Sequence, residues 1–416
     1  MEPLEDFSYI PKVERRFDLD WLRMISIVLV FFYHSSLIFA SLDDQWIIAN
    51  AETSIHIERC MTLGTGLILP LFFVIAGMST FYALNYVKAG KYTLLRAIRL
   101  LVPFFIGIFT HIPLQVFLYA KNNIDINYPG TFFQFYKEEL FHGIFGFGGA
   151  FPILGNHLWF LIILFVFSLI LIGPFILLRR EKSYNRLLNV TSFLAKPGVI
   201  FTFVLPVILV EQIHTHYGTP LGLLGGYTFT TYILFYFFGF LFASNEKFKK
   251  SIEKQIIPAL IGVVAFGVSM LVLIYVGVYG KPYWDPVYWV LYPIYGWCLV
   301  ILTLGLGSKF LNKNNKARKF SNELVMPFFI LHQTVIVVIG FYVVELALPM
   351  IVEYLIIVSS SLAIIIILLL IIKYLNPLRV LFGMRWKKGL LQRKPKVEAT
   401  SQSADTSQIP EEKIEQ

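Results

Sequence analysis

An arginine and a histidine stand eleven positions apart in an otherwise apolar stretch, Arg23 and His34 of DWLRMISIVLVFFYHSS. A neutral imidazole takes a proton from a hydroxyl near neutral pH, the work of a general base. A guanidinium fork suits the oxygens of a phosphate. At about 100° per residue, eleven steps fall within about 20° of three whole turns, so a helix puts both side chains on one stripe, about 16 Å apart. Each residue also has a plainer use. Arg23 can snorkel to an interface, and His34 can hydrogen-bond a neighbouring helix. Ionisable groups in apolar surroundings are costly, however, and by default mark function.

A second basic pair, Arg96 and Arg99, has the i, i+3 spacing that shares one helix face. It suits a phosphate-bearing ligand, or simple anchoring at a membrane surface. His157, His332 and His111 also fall in or beside apolar runs. His157, next to Trp159, is expected at an interface, where it meets an acceptor or anchors the helix. His332 is expected about a third of the way into its helix. His332 and His111 either line a common cavity or bond another helix.

Helices must position these residues. The chain has 416 residues, 57% hydrophobic and 15% charged. A soluble protein carries about 25% charged residues, so the composition indicates an all-α polytopic membrane protein. Ten segments are long enough to cross the hydrocarbon core: 21–41, 60–86, 98–120, 157–178, 197–213, 221–243, 256–280, 287–308, 325–345 and 350–373. The fifth is the weakest, being short, holding Pro206 and ending in Glu211. Residues 131–156 are glycine-rich and fit a re-entrant or interfacial loop better than a span.

Charge supports the count of about ten. With both termini cytoplasmic, 31 of the 35 Lys and Arg fall inside; Arg59, Lys121, Lys137 and Lys281 fall outside. The positive-inside rule requires this bias, and dropping the fifth span would invert every later loop. The net charge of +9 is therefore a matter of topology and of attraction to anionic lipid, not of nucleic acid. The first segment is expected to be a retained signal anchor in a cell (inner or plasma) membrane. The organisation reads as a cytoplasmic segment 1–20, a membrane domain 21–375, a basic juxtamembrane segment 376–397, and a polar tail 398–416 expected to be disordered.

Other features carry less. Cys60 and Cys298 are too few for a disulfide framework. His214 and His216, in HTH, are expected in an outer loop and make a poor metal site without further ligands. Glu345 and Glu353 flank a short outer turn, where water can solvate them. KPYWDPVYWVLYPIYGW, 281–297, suits an aromatic belt first and a sugar platform second. No internal repeat, Walker motif, GxGxxG or Cys/His metal spacing is present.

With these residues in view, RRFDLDWLRMISIVLVFFYHSS resembles the start of the acyltransferase-3 family of integral membrane acyltransferases, which carry a basic residue, ten residues and then His in the first helix. LFFVIAGMST (71–80) is similar to that family's second-helix segment, although it reads IAG where SG is common. Arg96-Ala-Ile-Arg99 matches its RxxR, and NHLWFL (156–161) and PFFILHQ (327–333) resemble later motifs. The likeness runs from residue 10 to about 375. The opening PKVERRFDLDWLR resembles the glucans biosynthesis protein C subgroup.

The resemblance implies an O-acyltransferase that moves an acyl group, acetyl or succinyl, from cytoplasmic acyl-CoA to a hydroxyl of an envelope glycan or another acceptor. It implies His34 as the catalytic residue, acting as general base or through an acyl-His intermediate. Arg23, Arg96 and Arg99 would meet the donor, and His157 and His332 the acceptor or its cavity. Acyl-CoA is a co-substrate; no bound cofactor or metal is expected. The rival from another class is an exporter of a polysaccharide or small solute, since midplane histidines and proline-broken helices occur in transporters too.

Overall fold

The computed structural model describes residues 15–41, 46–123, 126–138, 156–218, 223–276 and 285–387. Two units emerge, Met1–Trp386 and Lys387–Gln416. Of the second only Lys387 is described, so the tail from 398 lies outside the described residues.

In chain order the helices are α1 (Phe17–Leu37), α2 (Ile55–Leu84), α3 (Ala89–Thr110), α4 (Ile112–Asn122), α5 (Phe132–Glu138), α6 (Trp159–Arg179), α7 (Glu181–Leu194) and α8 (Val204–Tyr217). A hairpin follows, β1 (Leu223–Leu224) and β2 (Tyr227–Thr228), paired antiparallel. Then come α9 (Phe229–Ser244), α10 (Lys247–Lys254), α11 (Ile256–Tyr275), α12 (Asp285–Leu306), α13 (Lys316–Val343), α14 (Met350–Tyr374) and α15 (Asn376–Leu381). Among the described residues the fold is thus all-α apart from that hairpin, and eight helices are long and apolar enough to cross a membrane. This is a polytopic membrane protein. The other two expected segments, 21–41 and 221–243, coincide with helices of a different make. α1 is diluted by Asp18, Asp20, Arg23 and His34, and α9 is apolar but only 16 residues long.

Several boundaries differ from those expected, for physical reasons. The segment 98–120 is two helices, broken at His111 ahead of Pro113. The segment 221–243 begins with the hairpin, because Gly225 and Gly226 take φ of +62° and +104° and turn the chain before α9 starts. α13 starts at Lys316, not near 325: the Asn315 side chain accepts from the Arg318 backbone N–H at 2.8 Å and caps the helix among charged residues. His214 and His216 lie in the last turn of α8 rather than in a loop, and His214 Nε2 is 2.6 Å from Thr230 Oγ1. Glu353 is buried, not solvated, and accepts from the Leu348 N–H at 2.9 Å. Tyr288, Tyr292 and Trp297 are buried among helices rather than ranged along an outer belt; Trp297 Nε1 donates to Ile200 O at 3.0 Å. The glycine-rich stretch 139–155 lies outside the described residues.

The most extensive pairing is α2 with α9. A Cβ added at Gly77 would fall 1.9 Å from Tyr236 O, and one at Gly239 would fall 2.0 Å from Val74 O. Only glycine lets these backbones approach, as small residues do at helix interfaces in membranes.

Polar contacts gather the basic ends of the helices. Arg318 at the start of α13 donates to Asp20 of α1, and Arg379 of α15 donates to Glu323 of α13 at 2.6 Å. Arg179, buried at the end of α6, donates to Phe81 O (3.3 Å), Leu84 O (3.1 Å) and Asn85 Oδ1 (2.7 Å). It therefore satisfies carbonyls at the C-terminus of α2 and meets the negative end of that helix dipole. Replacing it as Arg179→Met leaves those carbonyls buried without their donors. The expected cost is about 2–4 kcal/mol, read as a lowered thermal midpoint in detergent; a wild-type midpoint would remove this capping role.

Candidate active site

Two clusters are built on these helices, one of imidazoles and one of guanidinium groups. The first joins three histidines. The His34 ring on α1 lies 5.2 Å from that of His332 on α13, and His332 lies 5.1 Å from His157, just before α6. His157 is buried within the protein. His332 sits well beyond a third of its helix, because α13 begins earlier than its apolar run suggests. His111 lies within electrostatic reach of His157, and its ring stacks on Phe382, with centroids 6.1 Å apart.

Hydrogen bonds set two of the tautomers. His332 Nδ1 is 2.6 Å from Phe329 O, and His157 Nε2 is 3.0 Å from Ile330 O. A carbonyl only accepts, so both of those nitrogens carry protons. The remaining nitrogens, His332 Nε2 and His157 Nδ1, are then lone-pair acceptors. Both are buried without a hydrogen-bond partner among the described residues, as are His34 Nδ1 and Gln333 Oε1. Buried unsatisfied acceptors cost about 1–3 kcal/mol each. His332 Nε2 and His157 Nδ1, on rings 5.1 Å apart, suit a ligand that donates hydrogen bonds, and a hydroxyl does so.

Amides border the trio. Gln115 of α4 donates to Thr334, and its oxygen accepts from Asn156 and, at 3.3 Å, from Gln333. Asn156 has φ +49°, a left-handed conformation that Asn tolerates, and it places His157 in the following turn. Gln115, Asn156 and Gln333 were not expected at the site from the sequence. The signal for two of them was adjacency: Asn156 precedes His157 and Gln333 follows His332.

The second cluster lies at the basic end. Arg23 Nη2 donates to Ser79 Oγ at 3.0 Å, with Asp20 Oδ1 3.9 Å from Nη1. Asp20 also serves Arg318 and, at 3.6 Å, Arg15, so it neutralises little of Arg23. Arg96 Nε donates to Ser168 Oγ at 2.9 Å, and Arg96 lies over the rings of Tyr92 (5.5 Å) and Tyr236 (6.0 Å). Ser168 gives its own proton to Leu164 O, leaving its lone pair for Arg96. Tyr92 and Tyr236 are fixed in turn by Thr80 Oγ1, at 2.8 and 2.6 Å. Arg96 Nη2 is buried with no partner among the described residues. Arg99 lies within electrostatic reach of Arg23, Arg96 and Arg385, with Asp20 the acid acting on it. The three predicted arginines are thus brought together, and a fourth that was not predicted joins them. Like charges within electrostatic reach of one another repel, and an anion among them relieves the repulsion.

Arg23 and His34 connect the clusters along α1. One end of that helix faces Ser79 of α2 and the other faces His332 of α13. Among the described residues no group of three or more His, Cys, Asp or Glu is placed to hold a metal ion.

A family model described as an acyltransferase domain, that of the acyltransferase-3 family, matches residues 16–370. Neither a curated protein nor a solved structure matches the chain. The match covers the described helices from α1 through most of α14, with the histidine trio and Arg23, Arg96 and Arg99 inside it and Arg385 beyond it, and the chain belongs to the acyltransferase-3 family.

Proposed function

We propose that this membrane acyltransferase of the acyltransferase-3 family takes an acyl group from cytoplasmic acyl-CoA and places it on a hydroxyl of an extracytoplasmic carbohydrate. Family membership settles the reaction class against an exporter. The observation that carries the finer reading is the pairing of two unlike sites along α1. One end gathers unneutralised guanidinium groups suited to phosphates, and the other gathers unpaired imidazole acceptors suited to hydroxyls. In this reading α1 and α9 complete ten spans, with the basic ends and both termini in the cytoplasm.

The chemistry follows from the groups present. Arg23, Arg96 and Arg99 hold the donor's phosphates, and its pantetheine arm runs along α1 toward His34. The acceptor hydroxyl lies among His34, His332 and His157. His34 takes the hydroxyl proton as the oxygen attacks the thioester carbonyl; a C–O bond forms, the C–S bond breaks, and the proton passes to the leaving sulfur. His332 Nε2 and His157 Nδ1 accept from the substrate's hydroxyls and orient it. An acyl-His34 intermediate uses the same groups in two steps.

The acyl group is acetyl on the family's general pattern, or succinyl on the likeness of the opening to the glucans biosynthesis protein C subgroup. Mass spectrometry of envelope glycans from cells with and without the protein tests the reading. We expect an acyl mass increment that requires the protein, and its size names the group. Identical glycans in the two strains would contradict a carbohydrate acceptor.

A further inference from the structure

The fourth guanidinium belongs to a segment built to hold it. After α15 the chain turns at Gly383, whose φ is +73°. A Cβ there would sit 3.0 Å from Arg99 O, 2.9 Å from Met326 Cγ and 3.2 Å from Pro103 Cγ, so the turn lies directly on the backbone that carries Arg99. Glycine is required twice over, by conformation and by contact. The turn is closed by Gly383 N–H to Val380 O (3.0 Å) and Met384 N–H to Arg379 O (2.7 Å). Phe382, within it, stacks on His111 at the break between α3 and α4.

Arg379 clamps the far side. Its guanidinium is buried and donates to Arg385 O (3.0 Å), Lys373 O (3.0 Å) and Glu323 (2.6 Å), joining α14, α13 and the turn. The Arg385 backbone is therefore fixed while its side chain is exposed, with no hydrogen bond or ion pair to a described residue. Its charge reaches Arg99. A stray surface arginine needs neither a left-handed glycine docked on α3 nor a buried arginine holding its carbonyl.

We propose that Arg385 is a fourth phosphate-binding residue of the donor site, delivered to Arg99 by the 382–385 turn that Gly383 and Arg379 hold in place. The proposal rests on the acyl-CoA reading above. Arg385 and Arg99 are the exposed members, and Arg96 the partly buried one whose Nη2 has no partner among the described residues, so Arg385 meets phosphate beside Arg99 at the rim of the site and Arg96 deeper in.

The test measures equilibrium binding of CoA and of phosphate-free pantetheine to the full-length protein in detergent, for wild type, Arg385→Gln and Arg385→Lys. An exposed site makes misfolding of these variants no concern. Arg385→Gln is expected to weaken CoA binding about tenfold, the scale of one charge-assisted contact. It should also flatten the salt dependence of that binding while leaving pantetheine affinity unchanged; Arg385→Lys recovers part of the loss. Equal CoA affinity in wild type and Arg385→Gln overturns the role of Arg385 with the donor reading intact. A wild-type protein that does not bind CoA overturns the donor reading, and this proposal with it.

Discussion

His34→Ala is expected to reduce acyl transfer by about 10²–10⁴-fold, the usual contribution of a positioned general base. The protein should still fold. The residue is half-buried beside Trp46 and His332, and no hydrogen bond of its side chain to a described residue is lost. The loss should fall on kcat, with donor affinity unchanged, because the guanidinium cluster lies about 16 Å away along the helix. Single-turnover measurement of glycan acylation checks this. Wild-type kcat in a normally inserted His34→Ala protein would remove the imidazole from the reaction.

The second large effect is expected at the donor end. Arg96→Glu replaces a guanidinium already held by Ser168, Tyr92 and Tyr236 with a carboxylate pointed at the same anion. Removing one partner of a partly buried charge pair costs about 2–5 kcal/mol, so about a hundredfold rise in the donor KM is a conservative expectation. Because Arg96→Gln removes the positive charge without placing a negative one there, it should fall between wild type and Arg96→Glu. Raising the ionic strength should mimic the substitution in the wild type, since phosphate binding by arginines is screened. An unchanged donor KM in Arg96→Glu would show that the phosphates bind elsewhere.

Much of this arrangement was legible in the sequence. Apolar runs located the helices because the bilayer demands them. The spacing of Arg23 and His34 gave the stripe on α1, and the spacing of Arg96 and Arg99 gave a basic face on α3. What the sequence did not reveal was which helices meet. Periodicity reports the faces of one helix, whereas the trio of His34, His332 and His157 depends on α1, α13 and the start of α6 converging. The position of His332 along its helix was misjudged because α13 extends through charged residues that an apolar-run criterion excludes. Arg385 looked like one more basic residue after the last span. Only the left-handed Gly383 and the contacts of Arg379 bring it back to Arg99. Glu353 and Tyr292 misled in the opposite direction: residue types that suit an interface proved to be buried and bonded to neighbours.

The central claim is that one protein joins a phosphate-bearing thioester to a hydroxyl through His34. It is tested most directly by placing the purified protein in vesicles with acyl-CoA labelled in its acyl group, then adding a hydroxyl-bearing glycan. Free thiol and labelled glycan are followed together. We predict glycan-dependent thiol release, matched one for one by acylated glycan and lost in His34→Ala. Equal release by wild type and His34→Ala, or thiol release with no label on the glycan, would contradict the account.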